Sequence, residues 1–580
     1  MSGSNAKVGG RGSSWASWRV AGWLGGAALA CASLLVPRVA SACGGFFCST
    51  AQPVNQAAER IVFANNGDGT VTAVIEIQYQ GPSESFSWLL PISSVPAGDQ
   101  IAVASNVAFQ RLQAATNPQY TLNTRVEGTC DVQESGDSAS PNGGFASGNG
   151  GPTLAPGRDG VTVEGGGVVG SFEWTVISVG DAATDPAATA VEWLANNGYD
   201  VPAGAPGLLG PYLEDGMYLL ALKLKKGADA GSIRPIVLTY EAEQPMIPIK
   251  LTAVAANDDM GVLAFVLGDS RAVPQNYNSL ELNEARINWF NAATNYNQVV
   301  VAAANDAGGH GFVTELAGTT TTLASAIWTP SDEQRWSELR ALPPDAQYRY
   351  AAGVFAGYDG FRDVLRDHVV LPVGVTAEQV QQCPECFPEV QPDADFLSAL
   401  EANVVEPIRL VQALINAHPQ VTRLYTTLSA AEMTVDPVFT FNPDLPAVSN
   451  LHRADRVIEC RRGYYVSTAP WRIELPSGGV VRGGPSDVGV WPSAFDAQPA
   501  NQRISRQGES GAGRVLEDNT ASIEASVSDY NASVPTPPTH SSGGCSFGGG
   551  ASGGVGLAAL ALAWGLGRRR VTRASPHRRR

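Results

Sequence analysis

Apolar residues recur along this chain with two periods, and the change of period marks its organisation. Period two comes first. "RIVFA" (Arg60–Ala64) and "TVTAVIEIQYQG" (Thr70–Gly81) flank "NNGDG" (Asn65–Gly69). In the second run Val71, Ala73, Ile75 and Ile77 share one face, with Thr72, Val74, Glu76 and Gln78 on the other. Alternation on both sides of a Gly/Asn turn predicts a β-hairpin. "FSWLLPI" (Phe86–Ile92) is expected to continue that sheet. Further strands are expected in "FEWTVISVG" (Phe172–Gly180), "MYLLALKLK" (Met217–Lys225), "IRPIVLTYE" (Ile233–Glu241), "IPIKLTAVAA" (Ile247–Ala256) and "GVLAFVLG" (Gly261–Gly268). In "MYLLALKLK" one face is Tyr218, Leu220, Leu222 and Leu224; the other turns charged at Lys223 and Lys225 and should emerge into water. "GVLAFVLG" is apolar at every position, as expected of a strand covered on both faces.

Period 3.6 appears in "DPAATAVEWLANNGY" (Asp185–Tyr199), with Asp185 and Pro186 opening a helix and Gly198 closing it. A second helix is capped by Thr329, with Pro330 at its first position and Asp332 and Glu333 near its positive end. Its inward face is Trp336, Leu339 and Leu342. The longest pattern joins Phe396, Leu400, Val404, Ile408, Val411 and Ile415, bent at Pro407. Strands return near "GYYVSTAPWRIEL" (Gly463–Leu475).

These patterns predict an α+β fold. A β-rich unit over 43–270 is interrupted near 131–170 by a Gly/Ser-rich segment too poor in apolar residues to order itself. A mixed α/β region over 271–499 has a helical middle and a β-rich return, and a polar, disordered stalk follows over 500–544.

The two ends alter the picture. Lys7, Arg11 and Arg19 precede an apolar run from Val20 to Val36, and Ala40-Ser41-Ala42 fits a small-x-small cleavage site. Residues 1–42 therefore read as a signal peptide cut after Ala42, which leaves Cys43 first. The run is short and glycine-containing for a stable membrane span. A lipoprotein signal would also use Cys43, but Ala40 stands where that signal prefers leucine. At the other end, "GGCSFGGGASGGVGLAALALAWGLGRRR" (Gly543–Arg570) joins Cys545 to a marginal apolar helix and to Arg568, Arg569 and Arg570. The arginines would hold that end on the cytoplasmic side. An ordinary tail anchor is the plainer alternative.

The chain has 38 basic and 55 acidic residues. Four basic groups lie in residues 1–42 and seven arginines in 568–580, so a mature part trimmed of both holds 27 basic against 55 acidic residues, a net charge of −28. Such a surface repels nucleic acid and anionic lipid. It suits solubility or weak divalent-cation binding, a solvated acidic face being the simpler reading. Of eight cysteines, Cys31 falls in the signal and Cys545 in the tail. The remaining six, Cys43, Cys48, Cys130, Cys383, Cys386 and Cys460, are candidate disulfide partners whose pairing spacing does not fix.

No catalytic, cofactor-binding or metal-binding set emerges. "VLGDSRA" places Gly268, Asp269 and Ser270 at a strand end, as the GDS esterases do, but no histidine has an aspartate three residues before it, so the serine lacks an activating base. "GGGVVG" (Gly165–Gly170) fits G-x-G-x-x-G, yet "SFEWTVISVG" after it promises no helix N-terminus. "CPEC" (Cys383–Cys386) reads as a structural disulfide, with a redox pair, or a zinc site completed by Cys460 and His452, as alternatives. "NNGDG" and "ANDDMG" are turns rather than complete calcium loops. "ANDAGGHGFVTELAG" places His310 and Glu315 in and after a Gly-rich turn, where they could serve acid–base work or hold a metal, although Glu315 exposed beyond a turn is the plainer reading.

Two resemblances follow from the residues quoted. The C-terminal stretch resembles the myxobacterial sorting signal, MYXO-CTERM. That resemblance implies cleavage near Cys545 by a membrane protease after passage through the export machinery, then surface attachment through a lipid on the cysteine. The body, through "CGGFFC", "ERIVFA", "FSWLLPI", "WLANNGYDVP", "YLEDGMYLLALKL", "PMIPIKLTAVAANDDMGVLAFVLG" and "DAGGHGFVTELAG", resembles the bacterial domain of unknown function 2330, from Cys43 to about Trp471. It implies an exported or surface protein and no defined chemistry. The expectation is an exported protein of the cell envelope, surface or outer membrane, non-catalytic, with a ligand left open. The alternative is a secreted hydrolase of unrecognised type whose best polar cluster includes His310 and Glu315.

Overall fold

Thirteen residues, Ala256–Gly268, form the strand around which the chain is arranged. The computed structural model describes residues 55–80, 87–131, 161–180, 183–199, 204–225, 233–254, 256–388 and 390–539. The elements begin with β1 (Asn55–Asn65), β2 (Thr70–Gln80), β3 (Ser87–Ile92), β4 (Ile101–Val103), α1 (Asn106–Thr116) and β5 (Gln119–Gly128). They continue with β6 (Val161–Val169), β7 (Phe172–Val179), α2 (Pro186–Asn196), α3 (Ala205–Glu214), β8 (Tyr218–Leu224) and β9 (Ile236–Glu241). Next come α4 (Ile249–Thr252), β10 (Ala256–Gly268), β11 (Arg271–Pro274), β12 (Asn278–Leu282), α5 (Tyr296–Asp306) and β13 (Gly311–Thr319). The helical middle holds α6 (Ala324–Ile327), α7 (Pro330–Ala341), α8 (Pro344–Phe355), α9 (Phe361–His368), α10 (Ala377–Gln382), α11 (Phe396–Leu400) and α12 (Glu406–Ala417). The described part closes with β14 (Gln420–Leu428), β15 (Phe439–Asn442), β16 (Leu451–Cys460), β17 (Trp471–Glu474), β18 (Val480–Gly483), β19 (Asn501–Arg506), β20 (Arg514–Asp518) and α13 (Thr520–Ser533).

A ten-stranded mixed sheet runs in the order β20-β19-β12-β13-β14-β10-β1-β2-β9-β4. β10 is central, parallel to β1 and antiparallel to β14. Both its faces are covered. Leu263, Phe265 and Leu267 join Val62, Val74 and Val421 under the helical middle, where Trp336, Phe355, Leu400 and Ile415 pack. Val262, Ala264 and Val266 join Ile61, Phe63 and Leu424 on the other face, against Trp88, Trp174, Leu220 and Leu222 of a second sheet. That second sheet, β3-β8-β7-β6, is in turn covered by α2 and α3, where Leu219 and Ala221 meet Trp193, Leu194 and Leu209. The layers are therefore helices, sheet, sheet, helix pair, and each fully buried Leu, Val or Phe contributes about 1.5–3 kcal/mol. A third sheet, β18-β17-β16-β5, packs with α13 around Trp289, Trp471 and Phe495.

Local chemistry explains several elements. In the β1–β2 turn, Asn65 accepts from the Gly67 N–H and Asp68 from the Thr70 N–H, with Gly67 and Gly69 at positive φ. Asp185 caps α2 by accepting from the Ala188 N–H, and Gly198 follows at φ 75°. Thr329 and Asp332 form the capping box of α7, whose Trp336 and Leu339 are buried. All six residues of the long helical pattern are buried, and the bend is a π turn, Glu401–Val405, between α11 and α12. Pro407 has no N–H to give and its ring would clash with the carbonyl four residues back, so the wider turn precedes it.

Other expectations are corrected. β3 does not continue the hairpin's sheet but pairs with β8 in the second one. "IPIKLTAVAA" is not a strand: α4 occupies it, the Lys250 N–H goes to Asp436 Oδ1, and Ile249 and Leu251 enter two different cores. Lys223 does not emerge into water. It is buried, donates to the Asn197 carbonyl and lies 3.4 Å from the Tyr199 ring centroid, and burial pulls its ammonium down to about 7. The boundary expected at residue 270 separates no cores: β10 before it and β14 after it are neighbours in the ten-stranded sheet, and residues from both sides of it share two cores. β6 begins at Val161 inside the expected insertion, and residues 132–160 of that insertion lie outside the described residues.

The polar segment after Ala500 is no stalk as far as Ser533. β19 pairs with β12, β20 with β19, and α13 packs Ile523 and Val527 into the third core. Composition misleads here because β19 and β20 need few apolar residues at a sheet edge, and Ile504 is the residue of β19 that meets Leu280, Val300 and Val313. We expect Ile504→Ala to lower the unfolding free energy in urea by about 2–4 kcal/mol; a stalk residue would leave it unchanged.

Candidate functional site

Charged residues inside apolar strands point to the site. "ERIVFA" places Glu59 and Arg60 in β1, and "TRLYTTL" places Arg423 in β14. Glu59 and Arg423 are buried, and Arg60 is half-buried. Register brings the two arginines to one face: Arg60 pairs with Leu263, and Leu263 with Tyr425. Arg423, two residues from Tyr425, shares its face. A bulge in β13 adds the acid, since Glu315 and Leu316 together oppose Arg423.

Above this patch opens a cavity of about 450 Å³. Its floor includes Arg60, Gly261, Leu263, Arg423 and Tyr425; its walls are Gln113, Asn117 and Pro118 at the end of α1, and Tyr296 and Asn297 at the start of α5. A Cβ at Gly261 would come within 3.1 Å of the Tyr425 hydroxyl, so glycine keeps the tyrosine in place.

The charges are held in pairs. Arg423 Nε bonds Glu315 Oε2 in a fully buried ion pair, and its Nη1 donates to Thr116 Oγ1 at 2.9 Å. Tyr296 donates to Glu315 Oε1 at 2.5 Å, and burial together with that carboxylate pushes the phenol well above its ordinary range, so Tyr296 remains a donor. Arg60 is ion-paired with Glu76, with Nη2 to Oε1 at 2.7 Å, while its Nη1 donates to Gln113 Oε1 at 2.6 Å. Burial pushes Glu76 up to about 7 against the pull of Arg60, and burial alone pushes Glu59 up to about 7. Phe109 and Phe265 lie 6.0 and 5.5 Å from the guanidinium carbons of Arg60 and Arg423.

A second cavity, about 650 Å³, shares Tyr296 and Glu315 as its wall. There Tyr120 stacks on His452, ring centroids 4.4 Å apart at 8°, and burial lowers the histidine's pKa.

His310 and Glu315 are not brought together. Five positions along an extended strand put them about 16 Å apart. His310 contacts Thr434 Oγ1 at 3.0 Å and the Tyr277 ring, whereas Glu315 belongs to Arg423 and Tyr296. Nor is Glu315 exposed, as the plainer reading expected; it is 3% accessible. Gly165–Val169 lie within β6, so the glycine motif opens no helix. Cys383 is joined to Cys386, and Cys130 to Cys460. The alternative of zinc on Cys383, Cys386, Cys460 and His452 is thereby corrected, because the sulfurs are used by each other. Among the described residues no group of three or more His, Cys, Asp or Glu could hold a metal ion. Ala42, Cys43, Cys48, Cys545, Arg568, Arg569 and Arg570 lie outside the described residues. Among those described, no helix is long and apolar enough to cross a membrane.

Residues 37–332 match the family described as an uncharacterized protein conserved in bacteria, DUF2330. The chain belongs to this family. The DUF2330 match ends at Asp332, short of the expected Trp471, so it takes in Glu59, Arg60, Gln113, Tyr296 and Glu315 but not Arg423 and Tyr425. No curated protein and no solved structure matches the chain.

Glu59, on the opposite face of β1 from Arg60, gives the fold a pH signature. A folded carboxyl that keeps its proton to about 7, against 4.5 unperturbed, favours the folded state at low pH. That contribution is complete below the unfolded value and is lost as pH rises through the folded one. Unfolding free energy should fall between about pH 5 and 7.5, by up to roughly 3 kcal/mol from this group. Glu59→Gln should flatten that fall in part, leaving the share of Glu76; urea titrations across the range measure it, and an unaltered slope would assign the dependence elsewhere.

Proposed function

We propose that the chain is exported and held at the cell surface, as an envelope component that binds a ligand without transforming it. The disulfide between Cys130 and Cys460 carries this reading. It joins segments 330 residues apart, and such cross-links persist in oxidising compartments. The Cys383–Cys386 disulfide points the same way. The export signal ending at Ala42 and the tail from Cys545 through Arg568, Arg569 and Arg570 supply the route and the anchor. Binding is supported by the cavity above β10 and β14, of the size that small-molecule sites occupy. The absence of turnover is supported by its pairing: Glu315 is committed to Arg423 and Tyr296, and the nearest histidine in sequence, His310, is engaged elsewhere.

Intact mass of the protein recovered from cells without reductant tests the proposal. The expected chain begins at Cys43, ends at Cys545 with an added lipid, and carries oxidised Cys130–Cys460 and Cys383–Cys386 pairs. A mass that includes the signal and the arginine tail, with free thiols at those four cysteines, would overturn it.

A further inference from the structure

The cavity between the ends of α1 and α5 selects for a kind of ligand. Its charged groups cancel locally: Arg423 is spent on Glu315 and Arg60 on Glu76. An anion entering would meet Glu315; a cation would meet Arg60 and Arg423. Neither finds an unopposed partner.

What is left uncommitted is uncharged or planar. Among the described residues, Arg423 Nη2, Gln113 Nε2, the side-chain amides of Asn117 and Asn297 and the Tyr425 hydroxyl have no hydrogen-bond partner, and all five residues line the cavity. Amides and a phenol offer a donor and an acceptor each. That is the complement of a ring of hydroxyl groups, every one of which also gives and takes a hydrogen bond. Leu263, Pro118 and the tyrosine rings supply the apolar surface on which the C–H face of such a ring would rest.

We infer that this cavity binds a neutral, polyhydroxylated ligand, a sugar ring of one or two units. The inference rests on the binding reading above and names its ligand class. Asn117 and Tyr425 are the residues expected to contact it. Neither belongs to the ion pairs that hold the fold.

The test is saturation-transfer NMR and calorimetry on the full chain recovered from cells. The probes are neutral hexoses, their N-acetylated forms and a disaccharide, set beside glucuronate and glucosamine as charged counterparts. Binding of at least one neutral sugar is expected, weakened about tenfold or more by Asn117→Ala and by Tyr425→Phe, with both variants melting like the parent. Sugar binding untouched by either variant would overturn the site assignment. Preference for the charged counterparts, lost in Asn117→Ala, would overturn the ligand class while leaving the binding reading intact. Silence from every probe would overturn the inference. Release of a reducing end from the disaccharide would overturn the non-catalytic reading and leave the ligand class standing.

Discussion

Covering the central sheet on both faces is the constraint from which the rest of the structure follows. β10 has no face to offer water, because helices lie on Leu263, Phe265 and Leu267 and a second sheet on Val262, Ala264 and Val266. Any polar side chain on a neighbouring strand in this layer must find its partner within the protein or lose several kcal/mol. Arg423 next to β10 finds Glu315, and Arg60 on the other flank finds Glu76. The bulge in β13 is the local adjustment that delivers the first of these acids, since an unbroken ladder would place a single residue opposite Arg423.

The same constraint locates the cavity. Helices can cover a sheet face only where their axes pass, and the ends of α1 and α5 leave a gap above Leu263 and Tyr425. The gap inherits the paired arginines as its floor and the helix-end amides as its walls. Its polar character is a by-product of finishing two helices over a strand that needs cover. A functional role then has to come from groups that folding has not already consumed, and these are the amides and hydroxyls rather than the charges.

Much of the fold was legible wherever a short-range rule applies. The hairpin turn at Asn65–Gly69, the Asp185 and Thr329 caps, the unbroken apolar run of β10 and the helical repeat from Phe396 to Ile415 are each decided by residues a few positions apart. Contacts set at long range were not. The fate of Lys223 depends on a carbonyl 26 residues away, and whether β3 joins the first sheet or the second depends on β8. At the site, Glu315 stood out in the sequence but was matched with His310, its neighbour in the chain, when its partner lies 108 residues on. The available signal was a lone arginine or glutamate inside an apolar strand, at Glu59, Arg60 and Arg423. That signal says a charge will be buried; it cannot say against what.

The third sheet shows what the disulfide between Cys130 and Cys460 secures. β5 and β16 run parallel over ten paired positions, Gln119 with Leu451 through to Gly128 with Cys460. Most of β5 is exposed, so its side chains bury little area and the ladder is held chiefly by backbone bonds at the edge of a sheet. Such a strand is the kind that frays or pairs with another molecule. Immediately beyond its end Cys130 is joined to Cys460, which fixes the register where apolar contact is weakest. Closing so long a loop restricts the unfolded chain, a stabilisation of about 2–5 kcal/mol in comparable cases. With the disulfide reduced that contribution is missing, and the exposed strand relies on its hydrogen bonds alone.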